Sequence, residues 1–206
     1  MPSASFMEAW ANIAQKTSLS LASKDRASLI IPRLYLSDLA TAVDEEIMQK
    51  LGVTHVVSIL DWAPEFLASI PAPHRLHIRL ADSATSDILA HLDTTTHFVR
   101  RALEGNESNV VLVHCFQGIS RSATVICAYL ISTAGMTAME SINFVQSKRR
   151  IASPNNGFRK QLHLYTKRVR GNTDTVETES TEENTEAIGG VQKTKVFVGS
   201  YSESPW

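Results

Sequence analysis

The chain has 206 residues, a formal net charge of −1, 43% apolar residues and two cysteines. This suffices for one well-buried core and is too short for two large ones. The charge balance gives no basis for nucleic-acid binding, no run approaches the eighteen apolar residues of a membrane span, and two cysteines exclude a disulfide framework.

Residues 1–27 read as an N-terminal extension. It opens with no charged-then-apolar leader, and Phe6, Trp10 and Ile13 at helical spacing admit a short helix, packed on the domain or offered to a partner. Glu8, and the lack of arginine before Arg26, argue against a mitochondrial presequence. Residues 28–170 alternate strand and helix signals. Strands are expected near 29–36, 53–59, 76–80 and 109–114, and helices at about 39–50, 87–103, 120–134, 137–148 and 156–169. This pattern fits an α/β domain. From 171 onward GNTDTVETESTEENTEAIGG carries six acids and no base, and residues 171–206 read as an acidic, disordered tail. Val196-Phe197-Val198 and Tyr201 to Trp206 restore apolar character near its end.

The chemistry concentrates in Val110-Val111-Leu112-Val113-His114-Cys115-Phe116-Gln117-Gly118-Ile119-Ser120-Arg121-Ser122. A short β-branched run, fit for a strand buried on both faces, delivers a cysteine into a loop at the strand's carboxyl end, where open α/β sheets bind ligands. A helical stretch follows. The amides of residues 116–121 form an anion cradle at that helix start, Gly118 allows the curvature, and the Arg121 guanidinium can fork onto a phosphate. Loop amides, helix terminus and Arg121 together favour the Cys115 thiolate. Such a thiolate attacks phosphorus in line and forms a phosphocysteine. Ser122 is placed to hydrogen bond the sulfur, and His114 reads as an orderer of the loop rather than a base. With these charges present no metal or other cofactor is expected.

HCFQGISRS resembles the H-C-x5-R-S signature of the cysteine-dependent protein phosphatases, and the details resemble the small dual-specificity phosphatases. Ile31-Pro32-Arg33-Leu34-Tyr35-Leu36, Leu51-Gly52-Val53-Thr54-His55-Val56-Val57-Ser58, Asp82 to Ile88 with His97-Phe98-Val99, and Ser153-Pro154-Asn155-Asn156-Gly157-Phe158-Arg159-Lys160-Gln161-Leu162 are similar to other family segments in the same order. The likeness spans roughly residues 28–168, and it implies that family's α/β fold, a central, mixed but largely parallel sheet flanked by helices. It departs at Gln117, where a small residue is usual, at Ser37, where glycine is common, and at Ile151, where proline is frequent. None of these removes a reacting group. Gln117 bears on rate and specificity.

The leaving oxygen needs a proton donor. Asp82 fits, lying in a polar loop between an apolar strand and a helix, where the resemblance also puts the acid. Asp87 reads better as a helix cap, and Asp61 follows a different strand. The resemblance implies that Asn155 supports the loop; it also reads as an ordinary helix start. Arg149 and Arg150 either attract an acidic substrate or end a solvated helix. His74, His77, His91, His97 and His163 lack metal-ligand spacing. Cys127 reads as core, too far along the helix from Cys115 to bridge, which points to a reducing compartment, the cytoplasm or nucleus.

The expected activity is hydrolysis of phosphotyrosine and phosphoserine or phosphothreonine in protein substrates, protein kinases being among the candidate partners. The alternatives are the same chemistry on a phosphoinositide, an RNA 5′-phosphate or a phosphorylated sugar, and a phosphate-binding module without turnover.

Overall fold

A computed structural model describes residues 26–179, with side chains described as far as Gly171. The candidate N-terminal helix and most of the acidic tail lie outside the described residues.

Five strands form one sheet in the order β1-β2-β5-β3-β4, with β1 Ala27–Ile31, β2 Leu34–Ser37, β3 His55–Leu60, β4 Arg75–Arg79 and β5 Val111–His114. Only the β1/β2 pairing is antiparallel, so the sheet is mixed and largely parallel as the sequence predicts. β5 is central and buried at every residue, which accounts for its unbroken apolar run. The helices are α1 Leu39–Ala42, α2 Glu45–Lys50, α3 Leu89–Gly105, α4 Arg121–Ala134, α5 Ala138–Lys148 and α6 Asn156–Glu179.

Three expectations are corrected. The single strand at 29–36 is a hairpin: Pro32 supplies no N–H, and Arg33 takes the left-handed conformation with φ +67°. That strained turn is offset because Arg33 Nη1 donates to the carbonyls of Leu103, Asn106 and Asn109 at the end of α3. The single helix at 39–50 breaks at Val43 and Asp44, because the Asp44 carboxylate accepts the Ile47 amide and starts α2 afresh. The last helix does not stop at 169. It runs to Glu179, into the segment read as disordered, since an established helix propagates cheaply and no proline interrupts it.

Burial and helix capping fix the elements around β5. α4 is buried along eleven successive residues from Arg121 to Ile131, so the helix leaving the loop is a core element, with Cys127 fully buried inside it. Gly135 ends α4 in the left-handed conformation (φ +65°), and a Thr137/Glu140 capping box starts α5. On α6, Phe158, Leu162 and Tyr165 face the core, a spacing that holds one side of the helix fixed.

Candidate active site

β5 delivers Cys115, only 1% exposed, into a loop whose peptide carbonyls are gripped from outside. Phe116 O accepts the Leu39 amide at 3.2 Å. Arg149 donates from Nη2 to Gln117 O at 3.5 Å and from Nε to Gly118 O at 2.9 Å. Ile119 O accepts the Ser153 amide at 2.7 Å. Ser120 O accepts both the amide and the hydroxyl of Thr124, at 2.9 and 2.8 Å.

Every peptide bond described is trans, and a trans unit points its C=O and N–H in opposite directions. Anchoring five carbonyls outward therefore turns the amides of residues 117–121 inward. The amides of Gln117, Gly118, Ile119 and Ser120 donate to no group among the described residues, and that of Arg121 heads a helix whose first-turn amides have no intrahelical acceptor. Gly118 makes the curvature possible. Its φ is +68°, and a Cβ there would lie 2.6 Å from the Ser37 carbonyl oxygen and 2.8 Å from Arg149 Nη2.

Arg121 is buried, with Nη1 donating to Leu80 O at 3.0 Å. Its Nε has no hydrogen-bond acceptor among the described residues. Two carboxylates flank it: Asp82 Oδ2 lies 3.8 Å from Nε and Asp61 Oδ1 3.7 Å from Nη1. They are held differently. Asp82 Oδ1 accepts from Ser120 Oγ at 2.7 Å and from Asn155 Nδ2 at 2.8 Å, whereas the Asp61 side chain is 54% exposed and its carboxylate meets only Arg121 among the described residues. Asp87 accepts the Ala90 amide at the start of α3, as a cap does.

Ser122 Oγ donates to Cys115 Sγ at 3.2 Å. His114 is buried, 2% exposed, and burial pushes its pKa down to about 4, so the ring is neutral at physiological pH. Since a carbonyl only accepts, Nδ1–H donates to Cys115 O at 3.3 Å, and Nε2 accepts the Ser58 hydroxyl at 2.6 Å. Ser58 meets His114 because β3 and β5 pair with these two residues in register. Burial also pushes the Cys127 thiol up to about 12, which leaves it inert as a core residue.

Two further residues adjoin the site. Asn155 donates to Asp82 from its side chain and to Ser120 Oγ from its amide at 3.1 Å. Its Oδ1 also caps α6 through the Phe158 amide. Arg149 is neither a solvated helix end nor a rim charge: it is buried and braces the loop, reaching as well the Arg26 carbonyl and Ser28 Oγ. Sequence reasoning missed Ser58 and Arg149. The signal for Ser58 was a hydroxyl within an otherwise apolar strand; for Arg149 none distinguishes it from Arg150.

Residues 34–168 match the family model described as dual specificity phosphatase, catalytic domain. The chain is 35% identical over 147 residues to human protein phosphatase Slingshot homolog 1, covering 71% of this chain and 14% of that protein. Against mouse dual specificity protein phosphatase 13B it is 35% identical over 148 residues, covering 69% and 73%. The chain thus spans a small part of its longer relatives. Among solved structures it resembles the human tyrosine phosphatase-like serine/threonine/tyrosine-interacting protein, with TM-score 0.63, 30% identity, and coverage of 68% of this chain and 95% of that one.

Two predictions follow from this geometry. Arg149→Lys keeps the charge but loses the fork, and loss of one such charge-assisted bond, about 1.5–3 kcal/mol, is expected to weaken sulfate binding by roughly tenfold or more in calorimetric titration; unchanged affinity would show that the brace is dispensable. For His114, the unfolded chain takes up its proton near pH 6.5 and the folded one near pH 4. Stability held above pH 6.5 is therefore lost as pH falls towards 4, by about 3 kcal/mol. Urea unfolding across that range should show this loss in the wild type and a smaller one in His114→Gln, while the imidazole NMR signal stays flat from pH 8 to 5.

Proposed function

Because this chain belongs to the dual-specificity phosphatases, we infer that it hydrolyses phosphotyrosine and phosphoserine or phosphothreonine in protein substrates through a phosphocysteine. The observation that carries the reading is the set of inward amides in the loop that follows Cys115, beside an Arg121 Nε with no hydrogen-bond acceptor among the described residues. A tetrahedral phosphate brings three non-bridging oxygens, and amides plus guanidinium supply donors fixed in advance, where charge builds in the transition state.

In the first step the Cys115 thiolate forms an S–P bond as the P–O bond to the substrate breaks. Asp82 gives its proton to the departing alkoxide or phenoxide. In the second step Asp82, now a carboxylate, takes a proton from water, whose oxygen attacks phosphorus and expels the thiolate. The Ser122 hydroxyl stabilises the charge returning to sulfur. Neutral His114 orients the Cys115 backbone and moves no proton. Asp82 is preferred to Asp61 as acid because three fixed groups, Ser120, Asn155 and Arg121, aim it. Trp62 and Phe116, an edge-to-face pair with centroids 5.8 Å apart, flank the side where Asp61 stands and offer apolar surface to a substrate side chain.

Phosphorylated proteins, protein kinases among them, are the proposed partners, without nucleic acid. A thiolate nucleophile suits the reducing cytoplasm or nucleus. The test is phosphate release from matched phosphotyrosine and phosphothreonine peptides in the presence of a chelator. Wild type turns over both, Cys115→Ser neither, and Asp82→Asn loses about 10²–10⁴-fold while Asp61→Asn loses far less. Turnover of a phosphoinositide or RNA 5′-phosphate in preference to both peptides would move the substrate class.

A further inference from the structure

The loop bearing Asp82 joins β4 to α3, and α6 together with the residue that caps it holds the loop at three successive points. Asn155 Nδ2 grips the Asp82 carboxylate at 2.8 Å. Gly157 lies flush against the Ala84 carbonyl, where any Cβ would collide with backbone. Gln161, one turn beyond Gly157 and so on the same face, spans the far limb: its Oε1 accepts the Leu89 amide at 2.8 Å and its Nε2 donates to Ser86 O at 2.9 Å. One planar amide thus satisfies the orphan N–H that opens α3 and a carbonyl of the acid loop. Adjoining positions of the same helix, Phe158, Leu162 and Tyr165, are buried in the core, so these contacts refer the loop to a rigid element.

We propose that Gln161 is a positioning residue for the general acid: with Gly157 it fixes the Asp82 loop over the phosphate cradle before substrate arrives, so that proton donation needs no loop closure. Gln161 touches neither Asp82 nor the reacting atoms and acts through the backbone at Ser86 and Leu89. The proposal rests on the reading of Asp82 as the acid.

Removing the amide leaves the cradle, Cys115 and Arg121 intact and lets the acid drift, and a misplacement of about 1 Å costs on the order of 10²-fold in rate. The loss should scale with the need for a proton. We would measure kcat/KM for a series of aryl phosphates, from phenyl phosphate to nitrophenyl phosphates with acidic leaving groups, in wild type, Gln161→Met, Gln161→Glu, Asp82→Asn and the Gln161→Met/Asp82→Asn double variant. Gln161→Met, with similar length and no amide, should lose at least about tenfold on phenyl phosphate and little on the most acidic leaving group. Its dependence on leaving-group basicity should steepen towards that of Asp82→Asn. Gln161→Glu, which keeps the acceptor for Leu89 but not the donor to Ser86, should fall between.

In the Asp82→Asn background, Gln161→Met should add no further sensitivity. Equal losses on every substrate, or a further equal loss in the double variant, would overturn the proposal and mark Gln161 as structural only. So would an unchanged profile. If Gln161→Met does not fold, Gln161→Glu decides by the same slope. Should Asp82→Asn itself leave leaving-group sensitivity at the wild-type value, the acid assignment fails instead, which the series detects independently of Gln161.

Discussion

Everything at this site depends on the outward anchoring of five consecutive carbonyls. A loop of five to six residues with its amides converging on one point is unfavourable alone, since aligned N–H dipoles repel and unpaired donors lose hydrogen bonds to water. The protein offsets that cost by giving the five carbonyls fixed partners on four segments: α1, the residue that ends α5 (which holds two of them), the segment before α6, and α4. Arg149 is the most connected of these partners, joining Gln117 and Gly118 to the first strand. The cradle is therefore a property of the whole α/β body and is formed before an anion arrives.

Ser120 extends the same logic to proton transfer. Its carbonyl is held by Thr124, its hydroxyl donates to Asp82 Oδ1, and the same oxygen accepts the Asn155 amide. Cradle, acid and the start of α6 meet at this one residue. Distances that matter to the chemistry are thus set by groups that also hold the fold, and their removal should affect rate and stability together. Ser58 and His114 do the equivalent behind Cys115, where a buried neutral imidazole is used as a spacer with a donor and an acceptor.

Much of this was legible in the chain because it is local. The β-branched run, the cysteine, Gly118, Arg121 and Ser122 lie within thirteen residues, and their spacing alone dictates a strand, a loop and a helix start. Asp82 was legible as the polar break between an apolar strand and a helix. The sheet's mixed, largely parallel character was legible through the family resemblance, since alternation of elements does not announce the antiparallel β1. What escaped were contacts between residues far apart in sequence. Arg149 reaches the loop across 31 positions and Gln161 reaches Ser86 across 75; neither residue type nor spacing announces such a partner. The hairpin at Pro32 and Arg33 was read as one strand because the tertiary bonds that stabilise Arg33 in a left-handed turn come from the distant end of α3. The end of the last helix was placed at 169 because the polar composition beyond it carries no signal of the continuation to Glu179.

The central claim is that the cradle serves a covalent attack by Cys115, and trapping the intermediate tests it most directly. Ser122→Ala should slow departure of the thiolate and let phosphoenzyme accumulate. Rapid acid quench during turnover of an aryl phosphate, followed by mass spectrometry of the peptide containing Cys115, should find one phosphoryl group on that cysteine. Turnover that continues with no phosphoryl group on Cys115, or with the group on another residue, would contradict the account.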